Sequence, residues 1–314
     1  MSNLSLLSPL HVLSTLIALI AFAGNSVLCR LALQDQSIDA TSFTILRLLS
    51  GAITLLVIVR VSYLYRNTLG TRKTSQQPSD IASVPAPARA TWLSAFMLFV
   101  YAASFSYAYI MLDAGLGALI LFGCVQLSMI TVSIIQKQPL SWIKYLGIAS
   151  AFMGLVYLVN AQNNLSDVSF SLFGFGLMVV SGIAWAGYTL LGKGSNVPLL
   201  DTSANFSKSL VFAVPLSLFY LLFDLQLTAT GILLSVASGA ITSGLGYAIW
   251  YYALNALSAV QAGVVQLLVP VIAAFGGQLW IGEAITLELI IAQAVILGGI
   301  ALVMFTPSKA KRPI

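Results

Sequence analysis

Long apolar stretches separated by short polar breaks make up most of the chain. A helix needs about 20 apolar residues to cross a bilayer core that is about 30 Å thick. The stretches do not alternate as membrane β-strands do, and backbone polar groups in lipid must be satisfied internally, so each stretch predicts a helix. The pattern therefore predicts an all-α membrane protein with ten transmembrane helices. They cover residues 10–32, 41–61, 92–112, 115–135, 142–160, 170–192, 203–223, 228–251, 259–281 and 286–305.

One connection differs from the others because it is long and polar. Residues 62–90 are rich in Pro, Ser, Ala, Gln and Arg and have few apolar residues at their centre. That composition is typical of a mobile linker rather than of a folded domain. We therefore predict a cytoplasmic linker between the second and third helices.

Charge and composition strengthen the membrane assignment and add an orientation. Only 7% of the 314 residues are charged, against about a quarter in a soluble domain. Outside the spans, Lys and Arg lie in the loops between helices 2–3, 4–5 and 6–7 and in the C-terminal tail, whereas the opposite side has Arg30 alone. The positive side faces the cytoplasm. We therefore predict a multi-pass protein of a bacterial cytoplasmic (inner) membrane with both termini in the cytoplasm.

The two halves of the chain resemble each other, segment by segment and in the same order. Three pairs of segments align: FAGNSVLCR (22–30) with WAGYTLLGK (185–193), TSFTILR (41–47) with TSANFSK (202–208), and FSYAYIML (105–112) with YAIWYYAL (247–254). Each half holds five predicted helices, so the second half enters the membrane from the opposite side. The sequence thus predicts two inverted five-helix repeats, an architecture of secondary transporters whose substrate binds near the midplane.

The second half also carries a pattern of particular residues. Pro270 lies within a predicted helix, Gly282 and Glu283 form the following turn, and Gly299 comes late in the last helix. This pattern resembles the EamA-type repeat of the drug/metabolite transporter superfamily. The first copy departs from it, with Ser128 where the proline is expected and Gln138 where the glutamate is expected.

The resemblance implies a division of the chain. Residues 1–160 would form the first EamA-like repeat, with the linker at 62–90 inserted in it, and residues 165–306 the second. Residues 307–314 would form a basic cytoplasmic tail. The resemblance also implies that helices 1, 3, 4, 6, 8 and 9 line the substrate cavity.

Charged residues near or within the spans are few. Arg30 and Lys193 lie at helix ends, where such side chains snorkel to water. Arg47 and Lys208 lie about 10 Å inside their helices at 1.5 Å per residue, and they either bond to carbonyls of neighbouring helices or line a wet pathway. As aligned positions of the two halves, they are candidates for framing its two mouths. No Asp or Glu lies in the middle of a span, which argues against an antiporter with a buried carboxylate relay.

Aromatic and polar residues in mid-span positions indicate where the substrate binds. Those of helices 6 and 8 recur at three- and four-residue spacing, which places them on one helix face. Interfacial aromatic belts and interhelical hydrogen bonds are the alternative explanations. Buried Trp and Tyr need partners for their polar tips, which a hydrated cavity supplies. The predicted substrate-binding residues are Asn25, Tyr107, Gln126, Trp185, Tyr188, Tyr247, Trp250 and Gln266.

The function expected from these features is export of small amphipathic metabolites, such as amino acids or related compounds, by alternating access. A sugar-phosphate or nucleotide-sugar exchanger would need several central cations, and only Arg47 and Lys208 are available. A non-transporting scaffold or lipid-handling protein is the alternative of another class. Motifs of intramembrane enzymes are lacking, so we expect no enzyme, no catalytic residue, no metal and no cofactor. The expected partners are a small-molecule substrate and the lipid bilayer, with no nucleic acid, and the protein is expected to be a monomer or homodimer.

Overall fold

The computed structural model describes residues 9–70, 90–135, 141–165, 171–192, 195, 197–218, 226–254, 257 and 265–306. Those residues form ten long helical runs, a short helical piece at 265–266, and no strand beyond one isolated bridge. The runs are α1 (Pro9–Gln34), α2 (Ala40–Gly70), α3 (Trp92–Ala108), α4 (Ala114–Ile135), α5 (Trp142–Leu165), α6 (Leu172–Gly192), α7 (Pro198–Leu218), α8 (229–254), α9 (Val269–Ile281) and α10 (Leu287–Phe305). The predicted all-α fold and the number of its helices are confirmed.

Length and apolar composition show which of these helices suit a bilayer. Five helical stretches within the described residues are long and apolar enough to cross it, namely those of α1, α2, α4, α6 and α8. Shorter apolar stretches occur in α3, α5, α9 and α10. Many large apolar side chains on the outer faces are exposed, among them Ile53, Leu233 and Phe275. Lipid is the solvent that suits such a surface, so the structure is that of an integral membrane protein.

Apart from the shorter α3, which ends at Ala108, and the longer α5, which ends at Leu165, three differences from the predicted helix boundaries have a local cause in the sequence. α2 continues to Gly70, so residues 62–70 of the predicted linker are helical. They contain no proline and no glycine before Gly70, so nothing in the local sequence interrupts the helix. The rest of that linker, residues 71–89, lies outside the described residues.

The other two differences involve prolines. α7 begins at Pro198, five residues before the predicted start at 203, and Asp201 lies in its first turn. Proline at the first helical position and an acidic residue in the first turn both suit a helix N-terminus. α9 begins at Val269 after a turn at 267–268, so Pro270 lies in its first turn rather than within a longer helix. Proline has no N–H to donate and is tolerated there.

α8 is one continuous run made of three segments. Ala229–Ala237 and Gly246–Leu254 are α-helical, and Ser238–Leu245 between them is π-helical. Such π-helical turns are rare and are often found at functional sites. In this protein the π-helical segment packs against α1 and α2, beside the cavity described below.

The helices pack through small residues at their crossings. α1 contacts α8 and α9, α6 contacts α3 and α4, α2 contacts α7 and α8, and α5 contacts α10. Where α5 crosses α10, a Cβ added to Gly147 would lie 2.5 Å from the carbonyl oxygen of Gly299. Where α8 crosses α2, a Cβ added to Gly239 would lie 2.2 Å from the carbonyl oxygen of Arg47. Glycine therefore lets these backbones approach closely, as expected for helix pairs in lipid.

Two loops join the halves of the chain at one end of the bundle. The isolated antiparallel bridge pairs Ile38, between α1 and α2, with Leu227, between α7 and α8. The backbone N–H of Thr228 donates to the carbonyl of Ser37 at 3.0 Å, and the N–H of Asp39 donates to the carbonyl of Gln226 at 3.2 Å.

Candidate functional site

A small cavity lies between α1, α3, α4, α6 and α8. Aromatic rings from all five of these helices form much of its wall. Trp185 lies at the centre of this group, with ring centroids 4.7 Å from Tyr101 and 5.3 Å from Tyr247. The Phe22 ring meets the edge of Tyr247 at 5.8 Å, and Phe105 lies 5.4 Å from Tyr101. These rings form a continuous surface on which an apolar or aromatic molecule can pack.

Asn25 is the centre of a polar network on the cavity wall. Its side-chain nitrogen Nδ2 donates to the hydroxyl of Tyr101 at 3.3 Å. Its oxygen Oδ1 accepts from the Ser238 hydroxyl at 2.6 Å and from the Thr242 hydroxyl at 3.3 Å. Two of its partners, Ser238 and Thr242, belong to the π-helical segment of α8. The amide therefore links α1, α3 and α8, and both of its polar atoms are engaged.

Arg47 lies directly behind this wall, and only 2% of it is exposed. Its Nη2 donates to the Tyr101 hydroxyl at 2.9 Å. The guanidinium carbon lies 4.7 Å from the centre of the Phe105 ring and 5.2 Å from that of Tyr101, within the range of cation–π attraction. Nη1 is buried without a hydrogen-bond partner among the described residues, as is the hydroxyl of Ser243 on the cavity wall.

Lys208 has a different environment, although it aligns with Arg47 in the other half. Its ammonium group donates to the carbonyl of Ala90, immediately before the N-cap residue Thr91 of α3. It also lies 5.7 Å from the centre of the Trp92 ring. Lys208 therefore fastens α7 to the start of α3, whereas Arg47 faces a residue of the cavity wall. That the two charges frame opposite mouths of a pathway stays a prediction.

Of the predicted substrate-binding residues, the structure brings Asn25, Trp185 and Tyr247 together on the cavity wall. Two more contact wall residues: Tyr188 lies 5.5 Å from Trp185, and Trp250 lies 5.6 Å from Phe22.

The other three lie elsewhere. Tyr107 hydrogen-bonds through its hydroxyl to Thr41 of α2 at 2.6 Å. Gln126 is buried in α4, and Gln266 lies in a short helical piece before α9. Neither glutamine is among the residues that line the cavity.

Wall residues outside the predicted substrate-binding set include Phe22, Tyr101, Phe105 and Ser243. Tyr101 and Phe105 are four residues apart on one helix, so the spacing that selected the residues of helix 6 would have found them too. Ser243 carried no signal, because a serine in a small-residue segment looks like a packing residue. It lies in the π-helical segment of α8.

Arg30 holds three parts of the protein together at the end of the bundle where α1 ends. Its Nε donates to Oε1 of Glu283 at 3.0 Å, and its Nη2 donates to Oδ1 of Asp113 at 3.2 Å. Its Nη1 donates to the backbone carbonyls of Tyr109 and Ile110 at 3.0 and 3.1 Å. The side chain of Arg30 is 13% exposed and is held by these bonds at the end of the bundle. Its snorkelling to the membrane surface stays a prediction. The matching prediction for Lys193 lies outside the described residues.

The turn after α9 positions Glu283 for this cluster. Gly282 ends the helix with φ of 81°, a left-handed conformation that favours glycine. Oε2 of Glu283 accepts the N–H of Ala114 at the start of α4 at 2.8 Å. Burial raises the pKa of Glu283, and the nearby charge of Asp113 raises it further, while the bonds from Ala114 and Arg30 act in the opposite direction. We call Arg30, Asp113 and Glu283 the arginine latch.

Comparison with known proteins gives the family. Residues 172–305 match the EamA-like transporter family. An uncharacterized protein of Pseudomonas aeruginosa is 43% identical over 295 residues, which are 93% of this chain and 94% of that protein. An uncharacterized transporter of Archaeoglobus fulgidus is 25% identical over 68% of this chain and 75% of its own length. YoaV, an uncharacterized transporter of Bacillus subtilis, is 26% identical over 56% of this chain and 61% of its own length.

A solved structure described as a crystal structure of a protein supports the fold. It superposes with a TM-score of 0.58 at 19% sequence identity, covering 92% of this chain and 96% of that one. The resemblance of the second half to an EamA-type repeat, drawn from Pro270, Gly282, Glu283 and Gly299, is confirmed. The chain belongs to the EamA-like transporter family, and it is a membrane transporter of the drug/metabolite transporter type.

Proposed function

We propose that the protein exports small amphipathic metabolites across the bacterial inner membrane by alternating access. The observation that carries this proposal is the aromatic cavity between the two halves of the chain. Phe22 and Asn25 from the first half and Trp185 and Tyr247 from the second half line the same space. A site shared by two halves can be exposed to one side or the other when the halves rock against each other.

Inverted repeats at 1–160 and 165–306 are part of the proposal. The aligned positions Phe22 and Trp185 both line the cavity, and so do the aligned positions Phe105 and Tyr247. The packing has the same two-fold character: α1 against α8 corresponds to α6 against α3, and α1 against α9 corresponds to α6 against α4. α2 packs on its counterpart α7, and α5 on its counterpart α10. A pseudo-two-fold axis through the cavity accounts for all four relations.

The arginine latch is the closed gate in this proposal. It joins the end of α1 to the turn between α3 and α4 and to the turn between α9 and α10. With both termini in the cytoplasm, that end of the bundle faces the opposite side of the membrane. Opening toward that side requires these three parts to separate, which breaks the bonds that Arg30 makes.

A counterflow screen with purified protein in liposomes tests the transport function. We expect labelled amphipathic metabolites to accumulate in preloaded vesicles, and sugar phosphates to fail. Exchange of sugar phosphates would favour the exchanger alternative instead. A folded, monodisperse protein that exchanges no compound of a broad panel would contradict the proposal and favour a scaffold or lipid-handling role.

Trp185→Ala is expected to reduce transport at least about ten-fold, since its ring contacts three other aromatic residues and each such pair contributes about 0.5–1.5 kcal/mol. Initial counterflow rates per folded protein measure the effect. Trp280→Ala is the matched control, because Trp280 lies on the outer surface and is 70% exposed. Unchanged kinetics in Trp185→Ala would remove this residue from the substrate site.

Acid on the non-cytoplasmic side is expected to favour the closed gate. The pKa of Glu283 is raised in the closed structure by burial and by Asp113, and it would return toward about 4.3 on exposure to water. The closed state then binds a proton more tightly than the open state. The stabilisation of the closed state relative to the open state is therefore greatest below the ordinary carboxyl pKa. It is lost as the pH rises through the raised pKa of Glu283.

The measurement is the rate at which an impermeant thiol reagent labels a cavity cysteine from the non-cytoplasmic side, corrected for the reagent's own pH dependence. Labelling should fall as the pH is lowered through the raised pKa of Glu283 toward the ordinary carboxyl pKa. Glu283→Gln should abolish that dependence. The opposite slope would show that the ionised carboxylate, through its bonds to Arg30, is what keeps the gate closed.

A further inference from the structure

We infer that the cavity binds an organic monoanion, a small carboxylate with an apolar or aromatic body and no positive charge. This inference rests on the proposed transport function and names the substrate class of the same site. It narrows the class of substrates expected from the sequence, which included zwitterionic amino acids. Four observations lead to it: an unpaired charge behind the wall, two hydroxyl donors, a lack of anionic groups on the wall, and aromatic sides.

The unpaired charge is that of Arg47. Among the described residues, the ion pairs link Asp113 and Glu283 to Arg30, and none involves Arg47. A buried cation without a counter-ion is strongly disfavoured, since its attraction to an anion is what offsets the loss of water. Tyr101 and the Phe105 ring satisfy part of the guanidinium, and Nη1 is left buried without a partner. A ligand carboxylate in the cavity would supply the missing negative charge.

Two hydroxyl groups can donate to that carboxylate. The Tyr101 oxygen accepts from both Asn25 and Arg47, so its own proton remains available for an acceptor. The Ser243 hydroxyl is on the wall, 1% exposed, and has no partner among the described residues. A carboxylate accepts hydrogen bonds through both oxygens. The Tyr101 hydroxyl also connects the ligand to the charge of Arg47.

An ammonium group finds no anionic partner among the residues of the wall. The residues that line the cavity include no Asp or Glu. The Asn25 oxygen already accepts from Ser238 and Thr242. An α-amino acid would therefore bury its ammonium group without an anionic partner, which is costly. For the same reason a simple cation would be rejected, since it would also face Arg47.

A phosphate dianion is disfavoured by the count of cations. Phosphate sites in proteins use several charged donors. Arg47 is the one basic residue in contact with the wall among the described residues, and Lys208 is engaged with the Ala90 carbonyl. A single negative charge matches this environment. The rings of Phe22, Trp185 and Tyr247 then pack against the body of the ligand.

Calorimetry tests the inference by measuring how tightly matched ligands bind to the purified protein in detergent. The probes are 3-phenylpropionate and phenylalanine, which differ in the α-ammonium group, and 4-methylpentanoate and leucine, which form a smaller pair of the same kind. At least one anion should bind at least ten-fold more tightly than its amino-acid partner. Arg47→Gln and Tyr101→Phe should each weaken anion binding at least ten-fold. Arg60→Gln, at an exposed arginine on the same helix as Arg47, is the matched control and should leave anion binding unchanged.

The outcomes separate this inference from the transport proposal. Amino acids that bind as tightly as the anions, failure of both anions to bind, or normal anion binding in both Arg47→Gln and Tyr101→Phe would overturn the inference. If Arg47→Gln does not fold, Tyr101→Phe decides by itself. Counterflow of an uncharged metabolite without anion binding would leave the transport function standing and remove the anion site. Anion binding that depends on Tyr101, without counterflow of any compound, would leave the anion site standing and contradict the transport function.

Discussion

Arg30→Ala is expected to open the cavity toward the non-cytoplasmic side and to destabilise the closed structure. Arg30 makes bonds to Glu283, to Asp113 and to two backbone carbonyls at the turn after α3. Its removal leaves the Glu283 carboxylate, 10% exposed, without its cation. Breaking a buried ion pair from one side costs about 3–5 kcal/mol. We expect the lower end of that range, because Glu283 keeps its bond from the Ala114 N–H.

The experiment uses a background in which the two free cysteines, Cys29 and Cys124, are replaced by alanine. Ser243→Cys then places one thiol on the cavity wall. Labelling by an impermeant maleimide from outside the cell should be at least ten-fold faster in Arg30→Ala than in the parent. A shift of about 1.4 kcal/mol in the equilibrium between the closed and open gate changes the open population about ten-fold.

Asp113→Asn is the internal control for this prediction. The Asp113 side chain is 54% exposed, so its ion pair with Arg30 lies in water and contributes about 0–1 kcal/mol. The Asp113→Asn substitution should therefore change the labelling rate by no more than a few-fold. Equal labelling in Arg30→Ala and the parent would show that the latch does not close this end of the pathway.

The helices could be predicted from the sequence because their signal is local. Each helix is marked by an apolar segment of its own sequence, and all ten helices were predicted from these segments. The boundaries that differ most lie where polar residues continue a helix, as at 62–70, where they begin one, as at Asp201, or where a turn interrupts the apolar run, as before Pro270. The periodicity of helices 6 and 8 found Trp185 and Tyr247 for a similar reason, since it reports which face of a helix carries large aromatic groups.

The arginine latch could not be predicted in this way. Its members come from α1, from the turn before α4 and from the turn after α9, and Arg30 and Glu283 are 253 positions apart. Each looks like an ordinary helix-end charge when read alone. The family pattern marked Glu283 as a turn residue without naming its partner. Likewise, the different environments of Arg47 and Lys208 depend on what the other half places beside them.

Gly299→Ala is expected to cost about 1–3 kcal/mol, the usual penalty for an added methyl group in a packed site. A Cβ at this position would lie 2.6 Å from the carbonyl oxygen of Gly147 and 2.9 Å from the backbone nitrogen of Ala151. Both atoms belong to the backbone of α5, which has no side-chain rotation to relieve the clash. α5 and α10 would have to move apart along their whole contact.

Gly298→Ala is the matched control, one residue away on the same helix. A Cβ there meets no heavy atom within 4 Å, and alanine is the better helix former by about 0.5–1 kcal/mol. Thermal unfolding in detergent should therefore show a clear fall in melting temperature for Gly299→Ala and none for Gly298→Ala. The α5–α10 pair does not line the cavity, so the surviving Gly299→Ala protein should keep its affinity for substrate. Equal melting temperatures in the two variants would mean that the helices adjust freely here, and that the glycine of the family pattern has another role.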